Sequence, residues 1–397
     1  MTDASPLRLG LVGAGGFATF LAGAVETLPS VTLHSVADAR PEPALRLATT
    51  YDARVAASLP ELLADAAVDA VVVATPPSTH GAIARAALEA GKDVLCEKPL
   101  ALDDREAADL VATVERTGGV LVVDHVLRYN PLLRALNRLR DGLLGPVQRF
   151  CFENDASDED LSADHWFWDE SLSGGIFVEH GVHFFDAAAM LLDRDASSVH
   201  AVTARRPDGP VDLVSATVAH GEDVLASHTH SFAHAHRCER QLMRLDCGAA
   251  EVRVEGWIPV HAVVDAWTDD AGVRFAEDLP DDLLHVDGFR LGPRAGFDVA
   301  IRRDAAPARA RGRGRLLDVP HHVRLELTLG GHAAKAEAYR ESVRAALTDL
   351  VVCADTGRTP FSGVREGAAA VAVATAATRS ARLQRAERID PVPVAVR

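Results

Sequence analysis

The chain has 397 residues, more than a single hydrophobic core usually serves, so its length predicts two domains. Apolar residues make up 48% and charged residues 25% of the chain, which is an ordinary globular composition. The formal net charge of −16 opposes a phosphate backbone and argues against direct binding of nucleic acid.

The cysteines and the apolar runs indicate the compartment. The five cysteines are scattered without a CxxC pair, so we expect neither a disulfide framework nor a structural zinc site, and a reducing compartment fits. No basic targeting segment precedes the first apolar run, and the apolar runs end short of the ~20 residues that span a membrane. We therefore expect a cytoplasmic protein that contacts no membrane.

From residue 7 to about residue 124, short apolar runs alternate with longer amphipathic stretches. The predicted strands are Leu7–Val12, Val31–Ala37, 69–74, Asp93–Cys96 and 120–123. The predicted helices are a stretch that ends at Leu28, then 42–50, 79–90 and 103–117. Apolar strands that alternate with helices are typical of an α/β fold, in which helices cover a parallel sheet.

A glycine-rich turn follows the first strand and begins a helix. Gly13-x-Gly15-x-x-Ala18 matches the pattern G-x-G-x-x-[G/A] of dinucleotide-binding turns. The first glycine permits the tight turn, the second lets a pyrophosphate approach the backbone, and the helix start supplies free N–H groups. Gly13, Gly15, Gly16 and Phe17 are therefore the predicted phosphate-binding loop.

Asp38 ends the second strand, 20 residues after Ala18. A carboxylate there can accept hydrogen bonds from the adenosine ribose, and it would repel a 2′-phosphate, so NAD is favoured over NADP. A helix-capping or surface aspartate is the alternative interpretation. Arg40 weakens the preference, so NADP stays the alternative cofactor.

Several spaced motifs resemble those of one family. ATPPSTH at 74–80 and CEKPL at 96–100 resemble the TPxxxH and EKP segments of the Gfo/Idh/MocA family of oxidoreductases. RYNP at 128–131 agrees as well, and GGIFVEHGVHFFD at 174–186 is similar to the family's GG-x-x-x-D-x-G-x-H-x-x-D helix. With a closing segment at 357–362 and the Ala-rich helix after it, the resemblance covers nearly the whole chain.

The resemblance implies an N-terminal Rossmann domain over residues 1–125. It implies a C-terminal α+β domain over 126–397 with a large, mostly antiparallel, open-faced sheet and a last helix that packs back on the first domain. In the family this sheet often carries the oligomer interface, and the active site lies between the domains. We therefore expect a homodimer or a homotetramer.

The resemblance also implies roles for residues beside the first sheet. It makes Lys98 catalytic, places Glu97 near the nicotinamide ribose, and places Thr75 and His80 against the adenylate and ribose. Oxidation of a secondary alcohol needs a base for the proton and a cation for the developing alkoxide, and Lys98 can supply the cation. The alternatives are a solvated lysine for Lys98, a strand cap for Thr75 and a helix start for His80.

Glu179, His183 and Asp186 are spaced i, i+4 and i+7, which predicts that they share one helical face. His183 matches the family's catalytic histidine and is the predicted general base, with Glu179 orienting the catalytic pair. A core histidine bonded to a carboxylate and a metal ligand are the alternatives for His183. The family usually has aspartate where this chain has Glu179, a departure that concerns the substrate more than the reaction class.

Four further residues are candidate substrate contacts. Arg128 and Tyr129 are predicted to reach substrate hydroxyls, with a surface cation and a partly buried ring as the alternatives. Trp166 belongs to an aromatic cluster suited to stacking on a sugar, with a loop anchored in the core as the alternative. His180 follows Glu179 and completes the set.

Two clusters have no assigned chemistry. His228, His230, His234 and His236 alternate, so on one continuous strand they would share a face directed to a subunit interface or to solvent. Zinc is the alternative there, and no metal site is predicted. The arginines of residues 302–315 lie in a stretch without periodicity, which predicts a long flexible insertion.

These observations predict an NAD(P)-dependent oxidoreductase. It would transfer hydride between nicotinamide and a secondary hydroxyl or ketone of a sugar, cyclitol or glycoside. Two alternatives stay open: redox-neutral cleavage of a glycoside that uses NAD transiently, and a non-catalytic regulator that senses the dinucleotide. The presence of both Lys98 and His183 favours an enzyme.

Overall fold

Two β-sheets organise the chain. The structure, a computed structural model, describes residues 5–159, 161–207, 209–280, 283–284, 295–303, 309–312, 314–330 and 334–392.

The first sheet is parallel and has six strands in the order β3-β2-β1-β4-β5-β6. The strands are β1 (Leu7–Val12), β2 (Val31–Ala37), β3 (Arg54–Val55), β4 (Ala70–Val73), β5 (Asp93–Cys96) and β6 (Leu121–Val123). The helices between them are α1 (Gly16–Glu26), α2 (Pro41–Thr50), α3 (Leu59–Ala64), α4 (His80–Glu89) and α5 (Asp104–Thr117). The central strands are buried on both faces because helices cover both, so the predicted α/β class is confirmed.

Local capping explains where the structure departs from the predicted bounds. α5 begins one residue later than predicted because Asp103 is its N-cap and accepts a hydrogen bond from the Glu106 N–H at 2.9 Å. β3 and α3 were not predicted, since two and six residues are too short to show a period. The Ser58 hydroxyl caps α3 by accepting from the Glu61 N–H.

The second sheet has ten strands in the order β14-β17-β13-β12-β11-β7-β10-β9-β8-β18. All neighbouring pairs are antiparallel except β7 and β10, which run parallel. Its strands are β7 (Val147–Asp155), β8 (Ser198–Arg205), β9 (Val211–His220), β10 (Val224–Ser231), β11 (Arg240–Cys247), β12 (Ala250–Glu255), β13 (His261–Thr268), β14 (Ala295–Arg303), β17 (His321–Leu329) and β18 (Glu387–Arg388). The predicted large, mostly antiparallel sheet is thereby confirmed.

Helices cover one face of the second sheet. The helices of this part of the chain are α6 (Pro131–Leu139), α7 (Glu170–Ser173), α8 (Val182–Leu192), α9 (Asp270–Glu277), α10 (Ala334–Thr356) and α11 (Val364–Leu383). A π-helical turn, Phe177–Gly181, leads directly into α8. α8 lies against the sheet through stacked rings, with the Phe152 and Phe184 centroids 3.6 Å apart.

The segment Glu170–Leu192 is longer and more apolar than the sequence analysis allowed for any run. By length and by its mean hydropathy of 1.2 it qualifies as a membrane span, but 78% of its most apolar window is buried inside the fold. A helix that is buried on every side carries apolar residues on all its faces, as a membrane-spanning helix does. In this structure the rest of the protein surrounds the helix.

The last two helices pack against the first sheet's layer. Tyr339 on α10 contacts Phe20 on α1, with ring centroids 4.9 Å apart. On α11, Arg379 donates to Asp104 of α5 at 2.8 Å. The first sheet ends at Val123, close to the predicted domain boundary at 125, and α11 lies across that boundary.

The arginine-rich stretch is more ordered than predicted. Arg302 and Arg303 end β14, and the next arginines lie in a hairpin of β15 (Arg309–Gly312) and β16 (Arg315–Asp318). The prediction of an aperiodic insertion is wrong for these residues, because pairing between strands supplies the order that the sequence period lacks. Arg313 lies outside the described residues.

Candidate active site

A cleft with a volume of about 390 Å³ lies between the carboxyl edge of the first sheet and the second sheet. Ligands of parallel α/β sheets bind at this edge. Its predicted residues are Phe17, Thr75, His80, Glu97, Lys98, Trp166, Glu179, His180 and His183.

The glycine-rich loop beside the cleft leaves room for a phosphate. Gly13 has a φ of +97°, and a Cβ there would lie 2.3 Å from the Ala74 carbonyl oxygen, so only glycine fits. A Cβ on Gly15 or Gly16 would meet nothing within 4 Å among the described residues. α1 begins at Gly16 without a side-chain cap, which leaves its first N–H groups for an anion.

Asp38 holds this loop in place. Its carboxylate accepts hydrogen bonds from the backbone N–H of Ala14 and of Arg40, both at 2.8 Å. Each carboxylate oxygen has a further lone pair, so a ribose hydroxyl can still bind. The ribose role therefore stays a prediction, and the loop contact is a second role that the sequence did not indicate.

His80 connects two loops of the first sheet. Its ring nitrogens lie 2.7 Å from the Thr75 carbonyl oxygen and 2.8 Å from that of Pro99. Burial lowers the pKa of His80, and the two carbonyl contacts oppose that shift because each of them favours an N–H on the ring. The Thr75 hydroxyl accepts a hydrogen bond from Thr79 at 2.7 Å. His80 thus positions the loops that carry Thr75 and Lys98, and its predicted contact with the cofactor stays untested.

Lys98 is a cation of the cleft, and its partner comes from the π-helical turn that leads into α8. Its Nζ donates to the Glu179 carboxylate at 2.7 Å and to the Glu179 carbonyl oxygen at 3.0 Å. An ammonium has three N–H groups, so the third remains for a ligand in the cleft. The alternative of a solvated surface lysine is wrong, because the side chain is only 14% exposed.

His183 lies in the same cleft as an electrically neutral imidazole. Burial lowers its pKa well below the usual value, and the nearby Lys98 charge lowers it further. Its Nδ1 is buried without a hydrogen-bond partner in the described part of the chain. Among the described residues no hydrogen bond joins His183 to Glu179, so Glu179 orients Lys98 and not the histidine. The alternative of a histidine bonded to a carboxylate is likewise not observed.

Asp186, the third residue of the predicted helical face, does not line the cleft. Asp186 accepts from Arg128, with Nη2–Oδ1 at 2.6 Å and Nε–Oδ1 at 3.0 Å, and both side chains are buried. The π-helical turn widens the helix between Glu179 and His183, so later residues rotate relative to Glu179. The predicted common face is therefore wrong for Asp186.

The structure contradicts two of the four predicted substrate contacts. Arg128 is occupied by Asp186, and fully buried Tyr129 donates its hydroxyl proton to Asp349 at 2.7 Å. Neither residue lines the cleft, because the segment after β6 turns into the core. Trp166 and His180 do line it.

The histidine cluster is divided between two environments. His228 and His230 lie on β10, fully buried against α8, and have no hydrogen-bond partner among the described residues. His234 and His236 follow the end of that strand, where His234 pairs with Asp155 at 3.2 Å. The prediction that all four share one strand face, directed outward, is wrong because β10 ends at Ser231. Within the described residues no group of three or more metal-ligating side chains is found.

Comparison with known proteins assigns the chain to a family. The model of an oxidoreductase family with an NAD-binding Rossmann fold matches residues 7–125, and that of the GFO/IDH/MocA C-terminal domain matches 132–251. Inositol 2-dehydrogenase 4 of Saccharopolyspora erythraea is 31% identical over 322 residues, 77% of this chain and 90% of that enzyme. The chain belongs to the Gfo/Idh/MocA family. The predicted family and its NAD-binding fold are confirmed.

Other comparisons agree with the Gfo/Idh/MocA assignment. Inositol 2-dehydrogenase of Rhizobium meliloti is 34% identical over 199 residues, which are 50% of this chain and 58% of that enzyme. Levoglucosan dehydrogenase, solved with NADH and L-sorbose, has a TM-score of 0.74 at 19% identity and covers 98% of this chain and 100% of its own. At this identity the likeness concerns the fold.

The Gfo/Idh/MocA cleft also contains residues that the sequence analysis missed. Asn154 of β7 and Gln241 of β11 are register partners at the cleft end of the sheet. Trp257, Lys335 and Tyr339 form a further wall, with the Lys335 ammonium 5.7 Å from the Trp257 ring centroid. A polar residue on the inward face of an otherwise apolar strand was the available signal for Asn154. No local signal exists for Lys335 and Tyr339, because they reach the cleft only through the packing of α10.

Proposed function

We propose that this protein is an NAD-dependent dehydrogenase that oxidises a secondary hydroxyl of a sugar or cyclitol, or reduces the corresponding ketone. One observation carries the proposal: Lys98, held by Glu179 at 2.7 Å, shares one cleft with the neutral His183 beside the glycine-rich loop. A cation for the oxygen and a base for its proton are what this oxidation requires.

The glycine-rich loop fits the dinucleotide. The open space at Gly15 and Gly16 and the uncapped start of α1 would hold the pyrophosphate, and Asp38 would hold the ribose. Bound there, NAD supplies the acceptor for the substrate's hydride. The Asp38 carboxylate supports the preference for NAD over NADP.

Lys98 and His183 divide the work on the substrate oxygen. The free N–H of Lys98 hydrogen-bonds that oxygen and stabilises the negative charge that develops on it. Since Nδ1 of His183 is buried, its Nε2 accepts the hydroxyl proton. Glu179 is a positioning residue, because two hydrogen bonds fix the direction of the Lys98 ammonium.

The cleft lining supports a polyhydroxylated substrate. Trp166 and Trp257 offer flat apolar faces, while Asn154 and Gln241 offer amides that donate and accept hydrogen bonds. The relatives named above are dehydrogenases of inositol, and the levoglucosan dehydrogenase structure contains L-sorbose. We extend that substrate class, a sugar or cyclitol, to this protein.

Lys98→Met tests the proposal, because it keeps the length of the side chain and removes the charge. NADH formation is measured across a panel of inositols and sugars, and NAD binding is measured by calorimetry. We expect kcat to fall about 10²–10³-fold, since one charged donor to the oxyanion is lost. We expect the Kd for NAD to stay within about twofold, because the glycine-rich loop is unchanged.

His200→Phe is the matched control, since His200 is exposed on β8. Unchanged turnover in Lys98→Met would contradict the assigned role. Product formed by the wild type without stoichiometric NADH would indicate redox-neutral cleavage instead. NAD binding without turnover of any substrate tested would favour the regulator.

A further inference from the structure

Two carboxyl groups lie side by side at the edge of the first sheet that faces the cleft. β5 and β6 are parallel neighbours with Cys96 opposite Val123, so the next residues, Glu97 and Asp124, emerge together. The Asp124 N–H donates to the Cys96 carbonyl oxygen at 2.8 Å, which holds the two strand ends in this register.

The two carboxyl groups have few hydrogen-bond donors, and the Lys98 backbone N–H is the donor directed at Glu97. Both Asp124 oxygens and Oε1 of Glu97 are buried and accept no hydrogen bond from any N–H or O–H of the described residues. Each carboxyl group acts on the pKa of the other, as expected for neighbouring side chains at adjacent strand ends. Two carboxylates this close and this far buried repel each other strongly when both are ionised, so they hold one proton between them.

The surrounding groups do not neutralise this pair. Lys98 is the one cation that acts directly on both carboxyl groups, and its charge is already balanced by Glu179. Burial raises the pKa values of the other facing groups, Cys96, Tyr129 and Tyr339, so these stay uncharged. Burial also raises the pKa of Asp124 to about 6, and burial followed by the charge of Asp124 raises that of Glu97 well above its usual range.

Glu97 lies where the reactive end of a dinucleotide must pass. It lines the cleft together with Phe17 of the glycine-rich loop, Lys98 and His183. A dinucleotide with its pyrophosphate at the loop has to reach past Glu97 to exchange hydride with a substrate at Lys98. Its ring is positively charged when oxidised and neutral when reduced, so the pair experiences a different electrostatic field in the two states.

We propose that Glu97 and Asp124 form a proton-binding site that responds to the oxidation state of the cofactor. The pair holds one proton in the free and NADH-bound protein and releases it to solvent when NAD+ binds. When the ring gains the substrate's hydride, the pair takes up one proton again. The source of that proton is the substrate hydroxyl: it passes from His183 to the pair, directly or through solvent, so His183 becomes neutral again and the bound reaction releases no net proton.

This inference rests on the proposed binding of NAD, and its test reads proton release, not turnover. Calorimetric titration of the full chain with NAD+ and with NADH at pH 7, in phosphate and in Tris buffer, gives the number of protons exchanged from the buffer dependence of the heat. We expect about one proton released for each NAD+ bound and none for NADH. The Kd for NAD+ should weaken by up to about tenfold per pH unit below neutrality, and that for NADH should not.

Asp124→Asn and Glu97→Gln should each abolish the release, because an amide supplies the donor and leaves one carboxylate that is already ionised beside Lys98. Asp93→Asn is the matched control. Asp93 lies at the opposite end of β5, where its carboxylate accepts from the Val120 N–H at 2.8 Å, so the release should persist.

Three outcomes are distinguishable. Wild-type protein that binds NAD+ without releasing a proton overturns the inference and leaves the proposed function standing, as does release that persists in both carboxyl variants. A chain that binds neither NAD+ nor NADH overturns the proposed function itself. If the variants fail to fold, the wild-type infrared difference spectrum decides: the band of a protonated carboxyl group should disappear on binding of NAD+ and stay on binding of NADH.

Discussion

Two ion pairs connect residues that follow strands of the first sheet to the helical segment 177–192, and they have different roles. Lys98 pairs with Glu179 at 2.7 Å, and Arg128 pairs with Asp186 at 2.6 Å. Both cations follow strands of the first sheet, and both carboxylates come from one continuous helical segment. The two ion pairs are similar in chemistry and lie about two helical turns apart. One of them contains a candidate catalytic group, and the other is a buried connection between segments.

The two pairs line different pockets. Arg128 directs Nε and Nη2 at the Asp186 carboxylate, which is 1% exposed, and this pair lines a second pocket that lacks the glycine-rich loop, Lys98 and His183. The Lys98 ammonium uses two of its three donors on Glu179 and keeps one for the cleft. A pair contributes to chemistry when it leaves a donor free at a surface that a substrate can reach.

The largest effect on stability is expected from Asp186→Asn. The substitution leaves the Arg128 charge buried without a counter-charge, which costs about 3–5 kcal/mol in the free energy of unfolding. Lys98→Met should cost less, since Glu179 lines the cleft and water can reach its carboxylate there. Urea unfolding followed by fluorescence measures both. Equal losses in the two variants would remove the distinction between the pairs.

A smaller effect, on kcat, is expected from Glu179→Gln. The amide oxygen keeps one hydrogen bond to Lys98 and loses the charge, so the ammonium is held less firmly and kcat should fall about 10–100-fold. The Kd for NAD should be unchanged, as should KM if the substrate is held mainly by other groups. Glu179→Asp, which restores the residue typical of the family, is the conservative control and should recover part of kcat. A loss confined to KM would show that Glu179 binds substrate directly.

The smallest effect is expected from the buried histidines beneath this helix. Burial lowers the pKa values of His228 and His230 well below 6.5, so they stay neutral in the folded protein while the unfolded chain binds protons below about pH 6.5. Stability is therefore complete above that pH and falls as the pH decreases, by up to about 1.4 kcal/mol per pH unit for each histidine. The double variant His228→Phe/His230→Phe should show a shallower decline between pH 6 and pH 5.

Urea unfolding at a series of pH values measures that slope. His200→Phe is again the control, because His200 is exposed on β8 and its replacement should leave the slope unchanged. A double variant with the wild-type slope would mean that His228 and His230 are hydrated or paired in solution.

Much of the first sheet was predictable because its signals are local. β1, β2 and β5 match the predicted bounds, since an apolar run between two turns is complete within a few residues. The glycine-rich loop was predictable for the same reason. Lys98 and His183 were found through the motifs around them, and both line the cleft. β3 and α3 escaped because so few residues carry no measurable period.

The errors concern residues whose partners are distant in the chain. Arg128 and Tyr129 looked suited to bind a substrate, but Asp186 and Asp349 engage them from 58 and 220 residues away. His228 and His230 looked like surface residues of an alternating strand, and α8 covers them. No role was predicted for Asp124, because its position beside Glu97 depends on the register of β5 and β6.

The sequence by itself determined most strands and helices around the first sheet, the glycine-rich turn, the family and the residue types available for catalysis. These follow from local periodicity, from turn chemistry and from motifs that can be recognised without knowledge of the fold. Only the tertiary structure decided which carboxylate meets which cation, and which acids must share a proton. Those contacts join residues such as Lys98 and Glu179, 81 positions apart, and they are fixed by the burial of apolar surface around them. The same burial removes water from the charged groups, which makes the choice of partner decisive.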